Sequence, residues 1–170
     1  MGRDALVGLL ILGLAVCGGA CQAASVQLPD GSILYIARHA EKKDDTPDSP
    51  LNELGLKRAE ALRDKLSEAA ITGIVVSTRR RTMQTAGPLA QARGLTPVPA
   101  SGGGTVAAIR KLLPGKVLVV GHTDTVPKLI QRFRGPKVSI PLNDYDSLFV
   151  IQGKAGGATF ARDRYGAPSP

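Results

Sequence analysis

The sequence holds two histidines, and each stands directly after a short apolar run. His39 follows Ile33-Leu34-Tyr35-Ile36-Ala37 in the context Arg38-His39-Ala40-Glu41. His122 follows Val117-Leu118-Val119-Val120 in the context Gly121-His122-Thr123-Asp124. A third run, Gly73 to Ser77, empties into Thr78-Arg79-Arg80-Arg81. Apolar runs without polar alternation suit strands covered on both faces. In open α/β sheets, ligands bind beyond the carboxyl ends of such strands. Two imidazoles and at least two guanidiniums would then share one rim. Helices starting near Thr82 and Val126 would add backbone N–H donors. The set suits a tetrahedral dianion such as phosphate, because a guanidinium fork donates two parallel hydrogen bonds. Two histidines could also serve zinc, but no third ligand stands at a familiar spacing, and Arg38 would repel a cation. No phosphate-loop or Rossmann glycine pattern is present.

Positioning these groups requires alternating strands and helices. Asp44 to Pro50 reads as a polar loop, and Asn52 as the cap of a helix running to about Ala70. Thr82 to Ala92 reads as a helix, with Pro88 near its first turn or causing a kink. Thr96 to Pro99 suits a short edge strand, Ser101 to Gly104 a flexible connector, and Thr105 to Leu113 a helix. Lys116 to Val120 completes the third buried strand, and Val126 to Phe133 a short helix. Ser147 to Gln152 and Ala158 to Arg162 read as a hairpin around Gly153 to Gly157. The pattern predicts a layered α/β domain with a mostly parallel sheet.

The chain has 170 residues, of which 43% are hydrophobic and 21% charged, which suits one globular domain and excludes wholesale disorder. The net charge of +8 attracts anions without naming one. With no Trp and 4% aromatic residues, a stacking platform for single strands is unsupported, and no base-reading motif is present; no nucleic-acid partner is expected. Arg3 precedes an apolar run, Leu6 to Val16, followed by the small residues Cys17-Gly18-Gly19-Ala20-Cys21. Residues 1–24 therefore read as a secretory signal, leaving 25–170 as the mature, periplasmic or secreted domain. Cys21 after Gly-Gly-Ala also partly resembles a lipoprotein box, which would tether the protein to a membrane. Both cysteines lie in this segment, so the domain has no disulfide and no cysteine metal site.

Four segments, in order, resemble the histidine phosphatase superfamily, also called phosphoglycerate mutase-like. They are Arg38-His39-Ala40-Glu41-Lys42, Leu51 to Ala59, Val76 to Ala86 with its Arg81-Thr82-Met83-Gln84-Thr85-Ala86, and Val119 to Pro127. The resemblance spans about residues 32–152 and implies a three-layer α/β/α fold. It implies His39 as nucleophile, carrying a phosphohistidine intermediate. It places Arg38 and Arg81 on the phosphate-binding arginines and His122 on the second pocket histidine, with no metal or other cofactor needed. Arg79 and Arg80 do not map onto the arginine position and read as flanking charge. The acidic insertion common in the superfamily is missing, since no Asp or Glu occurs between Glu68 and Asp124. Asp124 and Glu41 remain the two candidates for the general acid. The resemblance implies an exported phosphatase for small phosphomonoesters or phosphoramidates. The alternative is a catalytically weak relative that binds phosphorylated envelope sugars or lipids. The sequence carries no signal for an oligomeric state.

Overall fold

A computed structural model describes residues 25–169. Cys17, Cys21 and the expected signal segment lie outside these residues. Six strands form one sheet: β1 (Ile33–Arg38), β2 (Gly73–Val76), β3 (Val98–Pro99), β4 (Lys116–Gly121), β5 (Ser147–Lys154) and β6 (Gly157–Arg164). Their order is β3-β2-β4-β1-β5-β6. The first four are parallel, and the β5–β6 hairpin joins antiparallel to β1.

Alternate residues along each central strand face opposite layers. Val117 and Val119 enter one core with Leu34, Ile36, Ile109, Ile130 and Phe133. Leu118 and Val120 enter the other with Leu62, Ile74, Val76 and Leu89. The helices α1 (Glu53–Lys65) and α2 (Arg80–Arg93) cover the second face, and α3 (Gly103–Lys111) and α4 (Thr125–Arg132) the first. Both faces of β4 are therefore buried, which is why its sequence shows no polar alternation. Among the described residues, no helix is long and apolar enough to cross a membrane.

Three helix boundaries differ from the sequence reading. Asn52 caps α1 as expected, its Oδ1 accepting the Gly55 N–H at 2.8 Å, but the helix stops at Lys65. The Leu66 N–H closes on Leu62 and Arg63 carbonyls, and Ala70 takes a left-handed φ of 49°, turning Ile71 into the core. α2 starts at Arg80 because Asp48, 32 residues earlier, accepts the Arg80 N–H at 2.9 Å. Pro88 sits inside α2 instead of in its first turn. Gly103 and Gly104, read as connector, form the first turn of α3.

Candidate active site

Register brings the histidines together. Arg38 of β1 pairs with Gly121 of β4, and the ladder continues as the His39 N–H donates to the Gly121 carbonyl at 2.9 Å. His39 and His122 thus leave neighbouring strands at one level, with ring centroids 5.2 Å apart and planes at 60°. The turn before His122 needs glycine: a Cβ on Gly121 would stand 2.9 Å from Thr125 Oγ1 and 3.0 Å from Val126 Cγ2.

His39 is buried, and its Nδ1 lies 2.7 Å from the Ala40 carbonyl. A carbonyl only accepts, so Nδ1 carries the proton and Nε2 keeps its lone pair. Burial pushes the imidazole down to about 3; the Ala40 contact opposes this, and the charges of Arg38, His122 and Arg81 add to it. His39 is thus a neutral base with one lone pair directed away from its anchor. Burial also brings His122 down to about 4, aided by Arg81 and opposed by Asp124. Arg81 Nη2, a donor only, stands 3.4 Å from His122 Nδ1, while His122 Nε2 is 2.8 Å from Ser77 Oγ. These partners place the His122 proton on Nε2. The chain continues through Ser77 Oγ to Thr82 Oγ1 at 2.9 Å, and Thr82 donates to the Ser77 and Arg79 carbonyls.

Both mapped arginines are held by backbone oxygens. Arg38 Nη1 donates to the carbonyls of Pro141, Leu142 and Asp144, and its guanidinium lies 4.1 Å over the Tyr145 ring. Arg81 Nη1 donates to the Pro47 carbonyl at 2.9 Å. Burial, and then Arg79, lower the Arg81 guanidinium, from a starting value high enough that it stays charged. Four buried side-chain polar atoms lack a partner among the described residues, and two are Nε of Arg38 and Nε of Arg81. Buried donors are normally satisfied, so two orphans on cations flanking a histidine pair mark an anion site.

The acid candidates separate. Glu41 accepts Arg58 Nε and Nη2 at 2.7–3.0 Å, both side chains being buried. This fork of hydrogen bonds holds the Glu41 carboxylate against Arg58 of α1. Asp124 is exposed, forms the N-cap of α4 without a side-chain capping bond, and exerts its charge on His122. The α2 N-terminus, expected to face an anion, already has its Arg80 N–H taken by Asp48. Among the described residues no group of three or more His, Cys, Asp or Glu is arranged for a metal ion.

Sequence reasoning missed several supporting groups. Thr85 Oγ1 accepts the Ala40 N–H at 2.9 Å and donates to the Arg81 carbonyl, joining the His39 loop to α2. Gln84 accepts the Leu51 N–H. Both stood inside the resembling Val76–Ala86 segment, and so did Ser77, which was a usable signal. Tyr145 had none, because its place beneath Arg38 depends on the loop that precedes β5.

This geometry defines an α/β fold with a histidine-centred, arginine-flanked anion site. Residues 34–102 match the model of the histidine phosphatase superfamily (branch 1). Solved structures with the same fold include a SixA protein from Agrobacterium tumefaciens, at 21% identity over 81% of this chain and 99% of that one, TM-score 0.60. Another is the protein histidine phosphatase SixA complexed with tungstate, at 20% identity over 78% and 96%, TM-score 0.63. A third is a mycobacterial glucosyl-3-phosphoglycerate phosphatase with inorganic phosphate, at 17% identity over 81% and 98%, TM-score 0.62. No curated protein matches the sequence. The family match thus covers the β1 to β3 part of the chain, and the solved structures share its fold.

Proposed function

We propose that this protein is an exported phosphatase that hydrolyses small phosphomonoesters or phosphoramidates through a phosphohistidine on His39. The observation that carries the reading is the neutral His39–His122 pair, 5.2 Å apart, flanked by Arg38 and Arg81, whose Nε donors have no partner among the described residues. Two solved neighbours, a protein histidine phosphatase and a glucosyl-3-phosphoglycerate phosphatase, support phosphoryl chemistry on this fold.

In the first step the Nε2 lone pair of His39 attacks phosphorus, and the P–O or P–N bond to the leaving group breaks with its electron pair. Arg38 and Arg81 bind the equatorial oxygens, where fixed donors act most strongly as charge is redistributed. The leaving group takes a proton from Asp124 or from water. In the second step water attacks the phosphohistidine, giving its proton to Asp124 if that residue was the donor and otherwise to solvent; the N–P bond breaks, its electron pair returns to Nε2, and inorganic phosphate leaves with His39 neutral again. Asp124 is the remaining side-chain candidate for the acid, because Glu41 is committed to Arg58. Its exposure favours substrates with good leaving groups, phosphoramidates among them.

The test is a brief incubation of the protein with a labelled phosphodonor, quenched in alkali. Acid-labile label should sit on His39 and be lost in His39→Ala. Label on Ser or Asp would overturn the nucleophile.

A further inference from the structure

A cavity of about 580 Å³ opens between α3 and α4, over the carboxyl ends of β2 and β4. Its size falls in the range of small-molecule sites, roughly 300–1,000 Å³. The floor is apolar, from Val106, Val119 and Leu129; Arg79 and Lys128 stand at its exposed rim. No Asp or Glu is among the described residues lining it. Another cavity, about 540 Å³ along β3 and α3, reaches neither histidine.

His122 joins this cavity to the proposed phosphate site. One edge of its ring, Nδ1, faces Arg81; the other, Nε2, faces Ser77, which lines the cavity. A group attached to a phosphoryl held beside His39 and Arg81 therefore has the cavity on the far side of one imidazole. We propose that the cavity is a leaving-group subsite selecting phosphorylated substrates whose leaving group carries an apolar body with an anionic substituent. The apolar floor takes the body, and the two rim cations, with no acid opposing them in the lining, take the anion. Such a subsite raises specificity through contacts remote from the reacting phosphorus. The inference rests on the phosphatase reading given above.

Three substrates separate the two ideas: phosphoramidate, whose leaving group is ammonia; 1-naphthyl phosphate; and a carboxylated naphthyl phosphate. Val106→Phe narrows the cavity. It should lower the kcat/KM ratio of naphthyl phosphate to phosphoramidate by about tenfold or more. Lys128→Gln should lower the ratio of carboxylated to plain naphthyl phosphate by about two- to fivefold at low salt, with the effect fading at high salt. Unchanged ratios in a Val106→Phe protein that melts like the parent overturn the subsite, while continued turnover of phosphoramidate leaves the phosphatase reading intact. If Val106→Phe melts early, the exposed Lys128→Gln decides alone, and an unchanged ratio there overturns the anionic preference. No turnover of any substrate and no phosphohistidine would overturn both.

Discussion

Burial acts on His39 and His122 in one direction, and its sign fixes two pH effects. Both imidazoles stay neutral in the fold well below the ordinary value of about 6.5. The nucleophile's lone pair is therefore present throughout the neutral and mildly acidic range. For a substrate whose leaving group needs no proton, kcat/KM, corrected for substrate ionisation, should stay level from pH 8 to about 5. An acid limb centred near 6.5 would show that His39 is not desolvated. Stability follows the opposite course. Between about 6.5 and the depressed values the unfolded chain binds more protons than the fold, so stability falls as pH drops through that window and levels off below it. His39→Gln and His122→Gln should each flatten that decline, measured by urea midpoints from pH 7 to 4. Charge placement gives a further contrast. Arg81→Ala should cost about 10²–10³ in kcat/KM, as for one well-placed donor. Exposed Arg80→Ala should cost far less, and salt should erase it. The four principal groups were legible because each follows an apolar run or sits in a motif. Arg58 was not, because its partner Glu41 lies 17 residues back and is met only in the fold.

Elements transmit position to those groups through a few short contacts. Gly55 packs so closely under the His39 loop that an added Cβ would lie 2.3 Å from the Glu41 carbonyl oxygen. Gly55→Ala must therefore push α1 away from Glu41, or Glu41 away from His39. We expect a loss of about 1–3 kcal/mol, as in overpacked cores, together with slower phosphohistidine formation. Asn52→Ala at the cap of α1 should cost about 1 kcal/mol by thermal melting and serves as the comparison without steric displacement. Strands β1, β2 and β4 were readable because burial on both faces leaves a continuous apolar run. The start of α2 was not: its first N–H is satisfied by Asp48, a carboxylate 32 residues away, so no local cap announces it. The α3 start was missed for a related reason. Gly103 and Gly104 favour a loop by propensity, and the fold uses them as helix nonetheless.

At the scale of the molecule, the α/β class followed from alternating elements, but the strand order did not. β1 lies between β4 and β5, neither its neighbour in sequence, and only that placement sets His39 beside His122. Export belongs to the same scale. Protein recovered from cells should lack residues 1–20 and lie outside the cytoplasm, and a diacylglyceryl group on Cys21 would mark the tethered form. Mass spectrometry finding intact Met1 to Ala20 on a cytosolic protein would refute export.

The last described residues are fastened to both flanks of the site. Arg58 donates to the carbonyls of Tyr165 and Ala167, and Ser169 Oγ accepts the N–H groups of Tyr145 and Asp146. The first tie runs through Glu41 toward His39; the second holds the ring beneath Arg38. A carboxypeptidase trimming the tail would loosen both without touching a pocket atom. Deleting residues 166–170 should therefore lower the melting temperature and slow labelling of His39 together, so affinity tags are better kept off this end.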